Sequence, residues 1–181
     1  MADVAHASPC VLASEWDALR DPPSGRWEIL GGELVLTPSA TPDHNDAAFA
    51  LCAILRERVP PTLRVGIDLD WVLEVPGDPR FIVNAPRPDV VVWPRHHARV
   101  AEPVLAIEVL SPSDSGRIAA KRFAYDIAGL PAYLEVDLDT GQLTRYQLAN
   151  GALTIAESGA IVTITLPDVQ PFTVTIDQLR P

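Results

Sequence analysis

A chain of 181 residues, 48% hydrophobic and 21% charged, has the make-up of an ordinary folded protein with material for one sizeable core. No apolar run approaches the roughly 20 residues that a membrane-spanning helix needs. A net charge of −10 with a sequence pI near 4.7 argues against a generic basic nucleic-acid coat protein, but allows an enzyme that meets DNA on one local face or a site that gathers carboxylates around a cation.

Along the chain, 18 prolines fall mostly in turn-like clusters such as "DPPSG", "TPSATPD" and "VPGDP" and punctuate many short elements. The opening "MADVAHASPCVLASEWDAL" has no basic start followed by an apolar stretch, which predicts a cytoplasmic protein with Cys10 and Cys52 as free thiols. Residues 1–13 read as an N-terminal tail and 14–181 as a single domain. "SEWDAL" predicts a short helix capped by Ser14. "WEILGGELVLT" predicts a hairpin turning at Gly31 and Gly32. "TPDHNDAAFALCAILRERVP" predicts a long helix, capped by Thr41 or Asp43, with Phe49, Cys52, Ala53 and Leu55 recurring at helical spacing and Pro60 after its end. "LRVGIDLDWVLEV" alternates like one half-exposed strand. "DVVVW" and "PVLAIEVL" are near-continuous apolar runs, the pattern of central strands covered on both faces. "DSGRIAAKRFAYDIAG" predicts a second long helix, ended by Gly129 and Pro131. "AYLEVDL", "QLTRYQL" and "ALTIA" follow as strands around "DTG" and "ANG" turns, and the last 20 or so residues continue as strand. This order predicts an α/β (α+β) domain: a mixed β-sheet flanked by helices, with additional antiparallel strands at the C-terminal end.

Glu108 interrupts an otherwise apolar run, where an unpaired carboxylate would cost several kcal/mol. It faces solvent, or is neutralised by a partner, or holds a cation. Asp89 opens the preceding apolar run, 19 residues earlier. Taken singly, Asp89 is a strand start after a proline and Glu108 an arginine partner. Taken together on neighbouring strands, they can approach closely, and a hard cation such as magnesium relieves the repulsion of two ionised carboxylates. A cation in such a place polarises a phosphoryl oxygen and favours ionisation of water.

Lys121 lies about two turns into the second long helix, and Tyr125, four residues on, shares its face. That face either is solvated together with Arg117 and Arg122 or brings the ammonium to the carboxylate pair, where it would stabilise attacking or phosphate charge. Glu28 in "RWEIL" is another carboxylate in an apolar setting. His44 reads as a polar residue of a helix start. His96 and His97, adjacent in a loop, point in different directions, make a poor metal pair and read as surface. Phosphate loops, a GxSxG elbow and HExxH are absent, and no histidine is placed to activate Ser111 or Ser113.

"RPDVVVW", "AIEVLSPSDS", a helix carrying Lys121 and Tyr125, and "AGLPAYLEVD", preceded by "RWEILGGELVLTPSATPDHN", together resemble the Uma-type family of restriction endonucleases within the PD-(D/E)xK nuclease superfamily. The resemblance runs from about residue 14 to the end. It implies a restriction-endonuclease-like sheet, a Mg2+ (or Mn2+) dependent phosphodiesterase site, DNA as substrate and a homodimer. By position, Asp89, Glu108 and the backbone carbonyl of Val109 would hold the metal, Glu28 would complete the acidic set, and His44 matches a family histidine. The superfamily lysine usually stands two residues after the glutamate. Leu110 occupies that place, so the resemblance implies that Lys121 takes over the role.

The resulting expectation is an endonuclease hydrolysing DNA phosphodiester bonds, with Asp89, Glu108, Lys121 and Glu28 as its catalytic set, His44 and Tyr125 beside them, and Arg87, Arg95, Arg117 and Arg122 as backbone-contacting cations. Two alternatives stay open: a nuclease-fold binding or regulatory protein without turnover, and a phosphodiesterase acting on a substrate other than DNA.

Overall fold

The computed structural model describes residues 10–111 and 115–180. In chain order the elements are β1 (Val11–Leu12), α1 (Ala13–Ala18), β2 (Gly25–Leu30), β3 (Glu33–Pro38), α2 (Pro42–Arg58), β4 (Leu63–Ile67), β5 (Leu73–Val75), β6 (Asp78–Asn84), β7 (Val90–Pro94), β8 (Leu105–Val109), α3 (Ser115–Ile127), β9 (Ala132–Asp137), β10 (Gln142–Ala149), β11 (Ala152–Gly159), β12 (Ile161–Ile164) and β13 (Phe172–Thr175), followed by a 3-10 turn at Ile176–Gln178. The central sheet has the order β11-β10-β9-β8-β7-β4. Its pairs are antiparallel except β8 with β9, which run parallel and are joined through α3. A parallel pair needs such a crossover. That requirement lays α3 over the strand that carries Glu108.

Side chains alternate across a strand, so each central strand feeds two cores. Val90, Val92, Ile107, Val109, Leu134 and Val136 share one with the buried stripe of α2. Val91, Trp93, Ala106 and Tyr133 share the other with Tyr125 of α3. Burial on both faces is what the apolar runs of β7 and β8 require. Glu108 belongs by parity to the α3 side. The hairpin β2–β3 packs as a separate two-stranded layer, with Ile29 bridged to Ala85 and buried beside Ile82. Its turn needs positive φ at both central positions, and Gly31 (φ 61°) and Gly32 (φ 83°) supply it.

The mixed sheet, its flanking helices and the C-terminal antiparallel strands follow the expected architecture. Several local readings change. Val11 and Leu12 lie within the span read as a tail, but pair with Ile82 and Phe81 of β6. The chain enters α1 directly from this strand, so Leu12 is the N-cap, without a side-chain hydrogen bond, and Ser14 lies inside the helix. In α2, Thr41 caps as expected, its hydroxyl accepting from the His44 N–H. The buried stripe, however, runs His44, Ala47, Ala48, Leu51, Cys52 and Leu55, and Phe49 is 63% exposed. The stretch read as one strand from Leu63 onward is two strands in different sheets. Asp68 breaks it by taking a left-handed conformation (φ 56°), with its carboxylate on Arg26. The "SPSDS" turn lies in part, with Ser113, outside the described residues. Both cysteines are free. Among the described residues no helix is long and apolar enough to cross a membrane.

Candidate active site

Val90 pairs with Ile107, so Asp89, just before β7, and Glu108, in β8, meet at one end of the two strands. The Asp89 Oδ2 accepts the N–H of Val109 at 2.8 Å, across the strand pair. Lys121 reaches the same end from α3. Its Nζ donates to Glu108 Oε2 at 2.8 Å and to the Arg87 carbonyl at 3.0 Å, and lies 3.0 Å from Glu28 Oε1. Tyr125, one turn on, donates its hydroxyl to Glu108 Oε1 at 2.5 Å. Helical spacing of four therefore delivers two donors to the two oxygens of one carboxylate. Glu28, fully buried, also accepts from the Arg87 N–H and the Thr37 hydroxyl. His44 is turned inward by the start of α2, with Nε2 3.0 Å from Asp89 Oδ1 and Nδ1 buried without a partner among the described residues.

Arg26 is the member that sequence reasoning missed. Its guanidinium lies 2.5 Å from Asp68 Oδ1 and 3.0 Å from Asp89 Oδ1. The available signal was its position two residues before Glu28 on β2, which puts both on one face of that strand. Glu28, Asp89 and Glu108 thus outnumber the cations Arg26 and Lys121 that touch them.

These contacts set the protonation of the cluster. Burial and the neighbouring carboxylates Asp89 and Glu28 push Glu108 up to about 8, against the pull of Lys121. Burial would also raise Asp89, but the His44 hydrogen bond, the Lys121 charge and the Val109 N–H hold it below the usual carboxylate range. Burial would lower Lys121, but Glu108, Glu28 and Asp89 outweigh it and raise the ammonium above its ordinary value. Burial and Glu108 keep the Tyr125 phenol protonated well beyond pH 10.

Asp89, Val109, Glu108, His44, Arg117 and Lys121 line one cavity of about 460 Å3. The donors are oxygens of the type a hard divalent cation takes, and the carboxylates there are crowded, with Lys121 and Tyr125 on Glu108 and Arg26 and His44 on Asp89 Oδ1 in this arrangement.

The arginines expected on nucleic acid are placed differently from one another. Arg87 is turned inward, its guanidinium 2.6 Å from Asp70 and 2.8 Å from Asp21. Arg95 sits at the far end of β7 and donates to the carbonyls of Pro61 and Leu63. Arg122 pairs with Glu135 at 2.6 Å and lies over the Tyr146 ring. Arg117 lines the cavity and donates to the Leu36 carbonyl at 3.4 Å. Leu110, standing where a nuclease lysine is usual, donates its N–H to Val136 in the sheet. The reading of His96 and His97 as diverging is corrected. Their rings lie 4.1 Å apart, and one nitrogen of each falls within 4.8 Å of a Glu102 oxygen.

A family model for Uma2, described as "Putative restriction endonuclease", matches residues 13–177. A solved structure described as a "putative nuclease belonging to DUF820", from Anabaena variabilis, superposes with a TM-score of 0.69 over 93% of this chain and 97% of that one, at 16% identity. Comparison with curated proteins gives no match.

Proposed function

The chain belongs to the Uma2 restriction endonuclease family, and on that premise we propose that it is a divalent-metal-dependent endonuclease that hydrolyses DNA phosphodiester bonds. The observation that carries the reading is the buried meeting of Asp89, from the approach to β7, with Glu28 of β2, Glu108 of β8 and Lys121 of α3 at one end of the sheet. A helix-borne lysine takes the place that the residue after β8 leaves to a leucine.

Asp89, Glu108 and the Val109 carbonyl would hold Mg2+ or Mn2+, which supplies charge to polarise a phosphoryl oxygen and to favour ionisation of water. The chain's own groups do the rest. Lys121 keeps an ammonium beside Glu108, where negative charge on a transferring phosphoryl group would be stabilised. Glu28 also fixes that ammonium, and Tyr125 fixes the rotamer of Glu108. His44 and Arg26 orient Asp89. Arg117, on the cavity wall, meets the nucleic-acid backbone. The reading includes a cytoplasmic homodimer, for which light scattering should give about twice the 19.6 kDa chain mass.

The direct test is cleavage of plasmid and oligonucleotide DNA with Mg2+ or Mn2+, set against Glu108→Ala. No cleavage of several DNA forms, together with no calorimetric metal binding, would overturn the proposal. A second reading, binding without turnover, is favoured by one observation: Arg26 and His44 both lie on Asp89 Oδ1, an oxygen that a metal would need. DNA binding without cleavage, with no metal taken up, would select it. Cleavage of small phosphodiesters in preference to DNA would select a different substrate.

A further inference from the structure

We propose that His96, His97 and Glu102 form a second metal site, selective for a borderline transition ion such as Zn2+, Co2+ or Ni2+, at the opposite end of β7 from the carboxylate cluster. Asp89 stands just before β7 and His96 two residues after it, which at strand rise separates them by roughly 20 Å. The two centres share no residue.

Three observations point to a ligand. First, one nitrogen from each imidazole and one Glu102 oxygen lie within 4.8 Å of one another. Secondly, His97 Nε2 is buried and makes no hydrogen bond among the described residues. Its neighbour Glu102 Oε2 is 3.5 Å away, too long for a good hydrogen bond. That separation matches two ligands on one tetrahedral ion: bonds of 2.0–2.1 Å place them about 3.4 Å apart. Thirdly, Glu102 has φ 48°, a left-handed conformation that residues other than glycine seldom adopt, and it is held in this conformation with its carboxylate beside the His97 imidazole.

The loop is held on both sides of the pair. Arg95 is tied to β4 and its approach by a backbone bond to Thr62 and side-chain bonds to Pro61 and Leu63. Val100 is buried with Trp71 and Trp93. The His97 N–H returns to the Pro94 carbonyl. The ligands therefore project from a short anchored loop rather than from a free one.

Donor type sets the selectivity. Two imidazoles and one carboxylate suit Zn2+, Co2+ and Ni2+ and are poor ligands for Mg2+, whereas the cluster at Asp89 and Glu108 offers oxygen. Three protein ligands leave a position open to water, and Glu102 is 78% exposed at its side chain. Binding would clamp the β7–β8 loop.

Titration of the full chain with Co2+ in excess Mg2+, followed by visible absorption and equilibrium dialysis, tests this. The wild type should bind one Co2+ with the intense absorption of low coordination number. The double variant His96→Ala, His97→Ala should lose that equivalent, Glu102→Gln should weaken it, and Asp89→Asn should keep it. Melting curves of each variant check that the fold is retained. Should the double-histidine variant fold poorly, chemical-shift changes of the His96 and His97 ring protons on adding Zn2+ to the wild type give the same answer. Unchanged Co2+ stoichiometry and spectrum in a folded double variant, or imidazole shifts that do not respond to Zn2+, would overturn the site.

Discussion

Lys121 Nζ and Glu108 Oε2 stand 2.8 Å apart, both buried, the first on a helix and the second on the strand beneath it. A pair held this far from water depends on both partners. Truncating Lys121 leaves two buried carboxylates, Glu108 and Glu28, without their shared cation in a low-dielectric setting.

Above about pH 8, where Glu108 is ionised beside the ammonium, Lys121→Met should therefore cost about 3–5 kcal/mol of unfolding free energy, because Glu108 and Glu28 both lose their cation. Adding Glu108→Gln should recover part of that loss. Urea titration of the single and double variants checks it. Equal stability of Lys121→Met and wild type would show that the pair is not formed in solution. Cleavage should be lost in either variant.

The pH profile has a sign. Glu108 is raised from 4.5 to about 8 in the folded chain, so between those values the native state holds a proton that the unfolded state has released. In metal-free protein this contribution makes stability fall as pH rises from about 5 to about 8, by an amount on the order of a few kcal/mol. Asp89, whose shift is downward, acts only below the ordinary aspartate range and does not offset it in this window. Glu108→Gln should flatten the slope. A wild-type melting temperature that climbs steadily from pH 5 to 8 would contradict the assignment.

Tyr125→Phe removes one donor to Glu108 Oε1 and little volume. The expected cost above about pH 8, where Glu108 is ionised, is about 1.5–3 kcal/mol, the range for a hydrogen bond to a charged group, and about 0.5–1.5 kcal/mol where it holds its proton. Cleavage should fall through kcat rather than KM, since the hydroxyl holds a catalytic carboxylate and not the substrate. A variant with wild-type kcat would reduce Tyr125 to core packing against Trp71 and Tyr133.

Arg26→Met takes a guanidinium from Asp89 Oδ1. With less positive charge nearby, Mg2+ affinity measured by calorimetry should rise severalfold, while cleavage slows because Asp89 is less well oriented. Weaker Mg2+ binding in this variant would mean that Arg26 shapes the site more than it competes for it.

Much of this architecture is carried by local pattern. Continuous apolar runs mark β7 and β8 as strands buried on both faces, Gly31 and Gly32 demand their turn, and Thr41 starts α2. These features are legible because backbone conformation and side-chain period are set by near neighbours. The same reasoning singles out Asp89 and Glu108, since a carboxylate in a buried strand needs a partner. Lys121 reads either as that partner or as part of a solvated helix face, and local pattern could not decide between the two. Glu28 and Lys121 are 93 positions apart, and only the β8–α3–β9 crossover, packed beside the β2–β3 hairpin, brings them to 3.0 Å. Arg87 and Arg122 read as available cations in the sequence and are taken up by Asp21, Asp70 and Glu135 in the fold. Asp68 breaks what reads as one strand in order to meet Arg26. His96 and His97 converge although their sequence adjacency argues that they diverge. The sequence by itself determined the strands, the helices and the carboxylates that need neutralising. The tertiary structure decided which charges meet, because ion pairs form between distant residues and are selected by the packing that removes them from water.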